Sequence, residues 1–92
     1  MSSYYETGPY ECRRVIKAWR LGFNLGNVLK YICRAGKKTK DPVEDLIKAL
    51  DYIYFELEDQ SEKTPLTEDQ VKKIYRIEDE FFKWNQDNSD TA

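Results

Sequence analysis

Histidine is absent from the chain, and with it go the Ser–His and Cys–His pairs of nucleophilic catalysis. Two cysteines, Cys12 and Cys33, are too few for a zinc site. Each lies within an apolar helical pattern, so both are expected as small buried hydrophobes in a reducing cytoplasm. No apolar run approaches the ~20 residues a membrane span needs, and Met1 is followed by polar Ser2 and Ser3 and by two tyrosines rather than by a leader's apolar core. A soluble intracellular protein without membrane contact is expected. Acidic residues are scarce in the first 40 positions. Nine Lys/Arg there face Glu6 and Glu11, a net of +7, whereas residues 41–92 hold six against fifteen, a net of −9.

Charges so divided attract. Either basic and acidic helices pack together, within one chain or between copies, or a basic concavity survives and collects an anion. Long nucleic acid is an unfavourable partner, because the acidic half repels its backbone and the chain lacks a broad basic face. The 92 residues make one helical domain with a thin core. Seven Tyr, four Phe and two Trp are many for that length, and large rings favour interface centres, so a homo-oligomer, dimer or tetramer, is expected.

Residues 1–9 read as an extended or turn segment closed by Thr7-Gly8-Pro9, which places the first helix start near Tyr10. Cys12, Val15, Ile16 and Trp19 form its apolar stripe, and Gly22 is expected to stop it. Asn24 reads as the cap of a second helix from about Leu25 to Ala35, ended by Gly36. Asp41, Pro42 and Glu44 make the clearest helix start, and Val43, Leu46, Ile47, Leu50, Ile53, Tyr54 and Leu57 keep helical spacing to about Asp59 or Gln60. After a break at Ser61–Pro65, Thr67 and Gln70 form a capping box for a fourth helix running to about Trp84, with residues 86–92 a disordered tail. The reading is all-α, three or four helices in a small bundle.

The second helix carries two stripes. Leu25, Val28, Leu29, Ile32 and Cys33 suffice to build a core, while Asn27, Lys30, Tyr31 and Arg34 stand together in a separate polar row. Gly36-Lys37-Lys38 adds two cations beside that row. Guanidinium and ammonium groups one turn apart suit neighbouring phosphate oxygens, an amide suits a base edge or ribose hydroxyl, and Tyr31, Tyr10 or Trp84 can stack on a base. The ligand-binding set is therefore Tyr10, Asn27, Lys30, Tyr31, Arg34, Lys37, Lys38 and Trp84. The bland alternative leaves Asn27 bonded locally, Tyr31 at the core edge and Trp84 closing the fourth helix.

Gly26-Asn27-x-x-Lys30-Tyr31-x-x-Arg34-x-Gly36-Lys37-Lys38 followed by Glu44-Asp45-Leu46-x-Lys48-Ala49-x-x-Tyr52 resembles a widespread family of small bacteriophage proteins of unknown function. The pair is also similar to a region of the nucleotide kinase of some short-tailed coliphages. The resemblance covers about residues 4–58. Where the family opens with a His-Tyr pair and a Gly-Ile-Glu stretch, this chain has Tyr4-Tyr5 and Pro9-Tyr10-Glu11, so no histidine-dependent activity carries over. The resemblance implies a phage product concerned with nucleotides in the cytoplasm of an infected bacterium.

Three functions follow. The first is capture of a small phosphorylated nucleotide, including a cyclic nucleotide signal of host antiviral defence, in a basic-aromatic pocket near an oligomer interface, without catalytic residues, metal or cofactor. The second is a nucleotide kinase acting on nucleoside monophosphates, with Glu44, Asp45 or Asp51 holding magnesium. Against it, Gly22-Phe23-Asn24-Leu25-Gly26 lacks the lysine and hydroxyl of a phosphate-binding loop. The third is a protein-protein inhibitor of a host factor that uses the acidic, aromatic fourth helix.

Overall fold

The computed structural model describes residues 6–7, 10–35, 37 and 41–89, with side chains placed for 11–35, 37 and 41–88. The architecture is all-α. Among these residues a two-residue strand β1 (Glu6–Thr7) pairs antiparallel with β2 (Tyr10–Glu11), in the register Glu6 to Glu11 and Thr7 to Tyr10. Helices α1 (Cys12–Ala18), α2 (Phe23–Arg34), α3 (Pro42–Lys63) and α4 (Glu68–Ser89) follow. They fall into two compact units, residues 1–62 and 63–92. No helix among the described residues is long and apolar enough to cross a membrane.

The first helix starts later than the Pro9 signal predicts, because Tyr10 and Glu11 are held in the strand pairing. Nor does Gly22 end it. Arg20 does, with φ 55, while its N–H donates to the Lys17 carbonyl at 3.1 Å and the Leu21 N–H to that of Ile16 at 3.0 Å. This paired 5→2 and 6→1 closure needs a left-handed residue where glycine is usual. Gly22 instead caps α2, whose first bond runs from the Gly26 N–H to the Gly22 carbonyl at 2.8 Å. Asn24 is accordingly inside α2, not its cap. Gly26 is buried, and a Cβ there would meet Ile16 Cγ2 at 3.3 Å, so the missing side chain lets α1 lie close on α2.

At the start of α3, Asp41 Oδ1 accepts the Val43 N–H at 3.0 Å, as the Asp-Pro signal predicts. The helix runs to Lys63, about one turn past the expected end. Thr67 and Gln70 form the reciprocal capping box, with bonds of 2.9 and 3.1 Å. Helix α4 also outruns its expected end. Residues 86–89, assigned to a disordered tail on composition, continue the helix; residues 90–92 lie outside the described ones. Ion pairs one turn apart, Lys72–Glu68, Lys73–Asp69, Arg76–Glu80 and Lys83–Asp79, line its exposed face, each contributing about 0.3–0.5 kcal/mol.

The core is as thin as the length implies. Among the described residues the buried hydrophobic ones are Cys12 and Ala49, joined by buried Gly26 and by the carboxylate of Asp45. The left-handed arginine is the feature easiest to improve. Arg20→Gly is expected to raise unfolding stability by up to about 1 kcal/mol in urea denaturation, and a loss of stability would show that φ is not strained there.

Candidate functional site

Helices α2 and α3 run antiparallel and meet through a series of polar and aromatic contacts, with buried Ala49 among them. At one end Arg34 Nε lies 3.7 Å from Asp45 Oδ1, with Asp45 at 2% exposure. In the middle Tyr31 stacks on Tyr52 (centroids 6.0 Å apart, planes at 16°), and Phe23 meets the same Tyr52 ring edge-on at 5.8 Å. At the other end Asn24 Nδ2 donates to Glu56 Oε1 at 3.2 Å and to Asp59 Oδ2 at 2.9 Å. Helical spacing explains the choice on α3, since Asp45, Lys48, Ala49, Tyr52 and Glu56 share one face.

That packing gathers cations around one ring. Lys30 Nζ lies 5.3 Å from the Tyr31 centroid, Lys48 Nζ 5.6 Å and Arg34 Cζ 5.8 Å, all within the ~6 Å reach of cation–π attraction. Among the described residues, Lys30 and Lys48 form no ion pair with a carboxylate. Arg34, the third cation, is ion-paired with Asp45. Like charges gathered around one ring repel one another, and an anion among them relieves that repulsion.

Of the sequence-predicted residues, Lys30, Tyr31 and Arg34 are brought together. Asn27 is on the same row, but its Nδ2 donates to the Phe23 carbonyl at 2.8 Å, the local bond of the bland alternative. Lys37 is exposed, with its N–H on the Arg34 carbonyl at 3.0 Å. Lys38 and the Tyr10 side chain lie outside the described residues. Trp84 belongs to the second unit, where it is 59% exposed beside Phe81. Lys48 and Tyr52 were missing from the expected set. Their signal was present in the shared face of Asp45, Lys48 and Tyr52 on a helix whose apolar stripe runs elsewhere.

The carboxylates of the kinase alternative lie on α3. Asp45 is turned to Arg34, and Glu44 and Asp51 are exposed. Among the described residues the group of three able to share a metal ion is Glu58, Asp59 and Glu62, exposed near the end of α3.

Cys12 and Cys33 meet between α1 and α2. Cys12 is buried as expected, but Cys33 is half-buried. Burial first, then the hydrogen bond and charge of the Cys33 thiol and the charge of Glu11, push the Cys12 thiol up to about 12 against an opposing pull from Lys30. It therefore stays protonated and unreactive near neutrality.

A family model described as a protein of unknown function (DUF3310) matches residues 2–54. The chain belongs to that family. The DUF3310 portion contains α1, α2 and the first half of α3, hence Lys30, Tyr31, Arg34, Lys48 and Tyr52, and excludes α4 with Trp84. No curated protein and no solved structure matches the chain.

Two outcomes are expected. Arg34→Met strips a counter-charge from buried Asp45 and lowers unfolding stability by about 3 kcal/mol in urea, whereas Lys30→Met changes it by less than about 1 kcal/mol; equal effects would contradict the packing. Because the folded pKa of Cys12 stands above the ordinary 9.0, its contribution to stability is complete below about pH 9 and is lost as pH rises towards about 12. Urea titrations across that range should show a shallower loss for Cys12→Ala, and alkylation at pH 8 should label Cys33 well before Cys12.

Proposed function

We propose that this protein captures a small phosphorylated nucleotide on the α2–α3 face, with Lys30 and Lys48 taking phosphate oxygens and the Tyr31–Tyr52 pair offering a ring for the base. The observation that carries the reading is three cations around Tyr31, two of which, Lys30 and Lys48, form no ion pair with a carboxylate among the described residues. An anion placed there relieves the repulsion and gains charge-assisted hydrogen bonds. Arg34 acts through its hold on Asp45 and its place beside the ring. Lysines supplied by two different helices suit a ligand with two separated phosphates, which favours the cyclic dinucleotides of host antiviral defence. Similarity of the motif pair to part of a phage nucleotide kinase supports a nucleotide as the ligand and an infected bacterial cytoplasm as the setting.

Capture is favoured over phosphoryl transfer because no Gly-x-x-x-x-Gly-Lys-Ser/Thr loop is present. Calorimetry with cyclic dinucleotides and nucleoside monophosphates is expected to show saturable binding that weakens with salt. Lys30→Met and Lys48→Met should each lower affinity about tenfold or more with helicity unchanged. Chromatography of the ligand after incubation with ATP and magnesium should return it unaltered. A phosphorylated product would replace capture by kinase activity, and full affinity in both variants would reject the site.

A further inference from the structure

We propose that α3 pairs in parallel with α3 of a second copy of this chain, through the seam Val43, Ile47, Leu50, Tyr54 and Leu57. The seam lies roughly on the opposite side of α3 from Asp45, Lys48, Tyr52 and Glu56, the residues turned to α2. Its aliphatic part is largely exposed: Val43 is 57% exposed, Leu50 48% and Ile47 47%, and the flanking Leu46 and Ile53 are 51% and 40% exposed, while Leu57 is half-buried. These are the large aliphatic side chains that a solitary helix pair would bury, yet the face spent on α2 is the polar one.

The spacing names the kind of partner. Steps of four, three, four and three residues are those of a two-helix seam, with Ile47 and Tyr54 at one set of core positions and Val43, Leu50 and Leu57 at the other. An isoleucine and leucines so placed favour two parallel strands. Flanking charge gives the same orientation. Glu44, Asp51 and Glu58 line one edge of the seam, while Leu46, Ile53 and Gln60 line the other. Parallel pairing sets each acidic edge against a neutral one, whereas antiparallel pairing sets acid against acid. The six half-exposed side chains from Val43 to Tyr54 present on the order of 500 Å², near the top of the ~300–600 Å² that an ordinary monomer leaves open. Residues beside them carry the area towards the ~800 Å² per partner of a stable interface. A single self-complementary patch is all a two-fold dimer requires.

Since Lys30, Tyr31 and Lys48 lie away from the seam, each copy keeps its own cation cluster, and dimerisation and ligand capture are separable.

Light scattering on the full chain is expected to give twice the 11.0 kDa monomer mass. Leu50→Glu, which puts a charge into the seam, is expected to give the monomer mass with helicity retained by circular dichroism. A monomer mass for the unsubstituted chain, the result if α4 of the same chain covers the seam, overturns the proposal, as does an unchanged mass for L50E. In a Cys12→Ala, Cys33→Ala background, Val43→Cys brings like positions of two parallel copies side by side, so mild oxidation should cross-link it far more completely than Asp51→Cys at the seam's edge. Equal cross-linking at the two positions overturns the pairing, and this comparison decides the matter if L50E loses its helicity.

Discussion

Asp45, at 2% exposure, sits where α2 and α3 approach each other, with the Arg34 guanidinium 3.7 Å away. A buried carboxylate is costly where the buried hydrophobic residues among those described are Cys12 and Ala49, and replacing such a pair by aliphatic side chains is often neutral or stabilising. Its retention is therefore better understood by what it arranges. Arg34 on one helix and Asp45 on the other set the register of the hairpin, and that register stacks Tyr31 on Tyr52 and carries Lys48 to the ring already flanked by Lys30.

Helix α3 consequently has two faces with different tasks. Its polar face makes the intrachain contact and completes the cation cluster, while its aliphatic seam remains open for another helix. The division explains why large aliphatic side chains of α3 stay exposed in a chain with so thin a core. It also accounts for part of the charge asymmetry. Some of the attraction between the basic and acidic halves is realised inside the chain, through Arg34 with Asp45, and Arg13 and Arg14 are drawn locally to Glu11 at 3.5 and 3.4 Å. Lys30 and Lys48 stand apart from that neutralisation.

Much of this was legible from local chemistry. Asp41-Pro42 and the Thr67–Gln70 box mark their helix starts because each supplies an acceptor at the spacing where amides lack partners. Helix ends were harder to read. Gly22 looked like a terminator, yet Arg20 takes the left-handed position and Gly22 begins the next helix, since backbone closure rather than residue preference decides there. Asn24 resembled a cap but bridges to Glu56 and Asp59, partners more than thirty residues away that no local pattern discloses. The row Lys30, Tyr31 and Arg34 was readable from a spacing of three and four. Lys48 was harder, because its membership depends on which face of α3 meets α2, and hydrophobic periodicity points to the wrong one.

The most direct measurement is nuclear magnetic resonance of the Tyr31 ring and of the Lys30 and Lys48 side-chain ε-methylenes during titration with a cyclic dinucleotide, inorganic pyrophosphate serving as the base-free control. The account predicts that all three groups shift together and saturate at one ligand concentration, with the tyrosine ring moving less for pyrophosphate. Unmoved lysine signals, or shifts confined to α4, would contradict it.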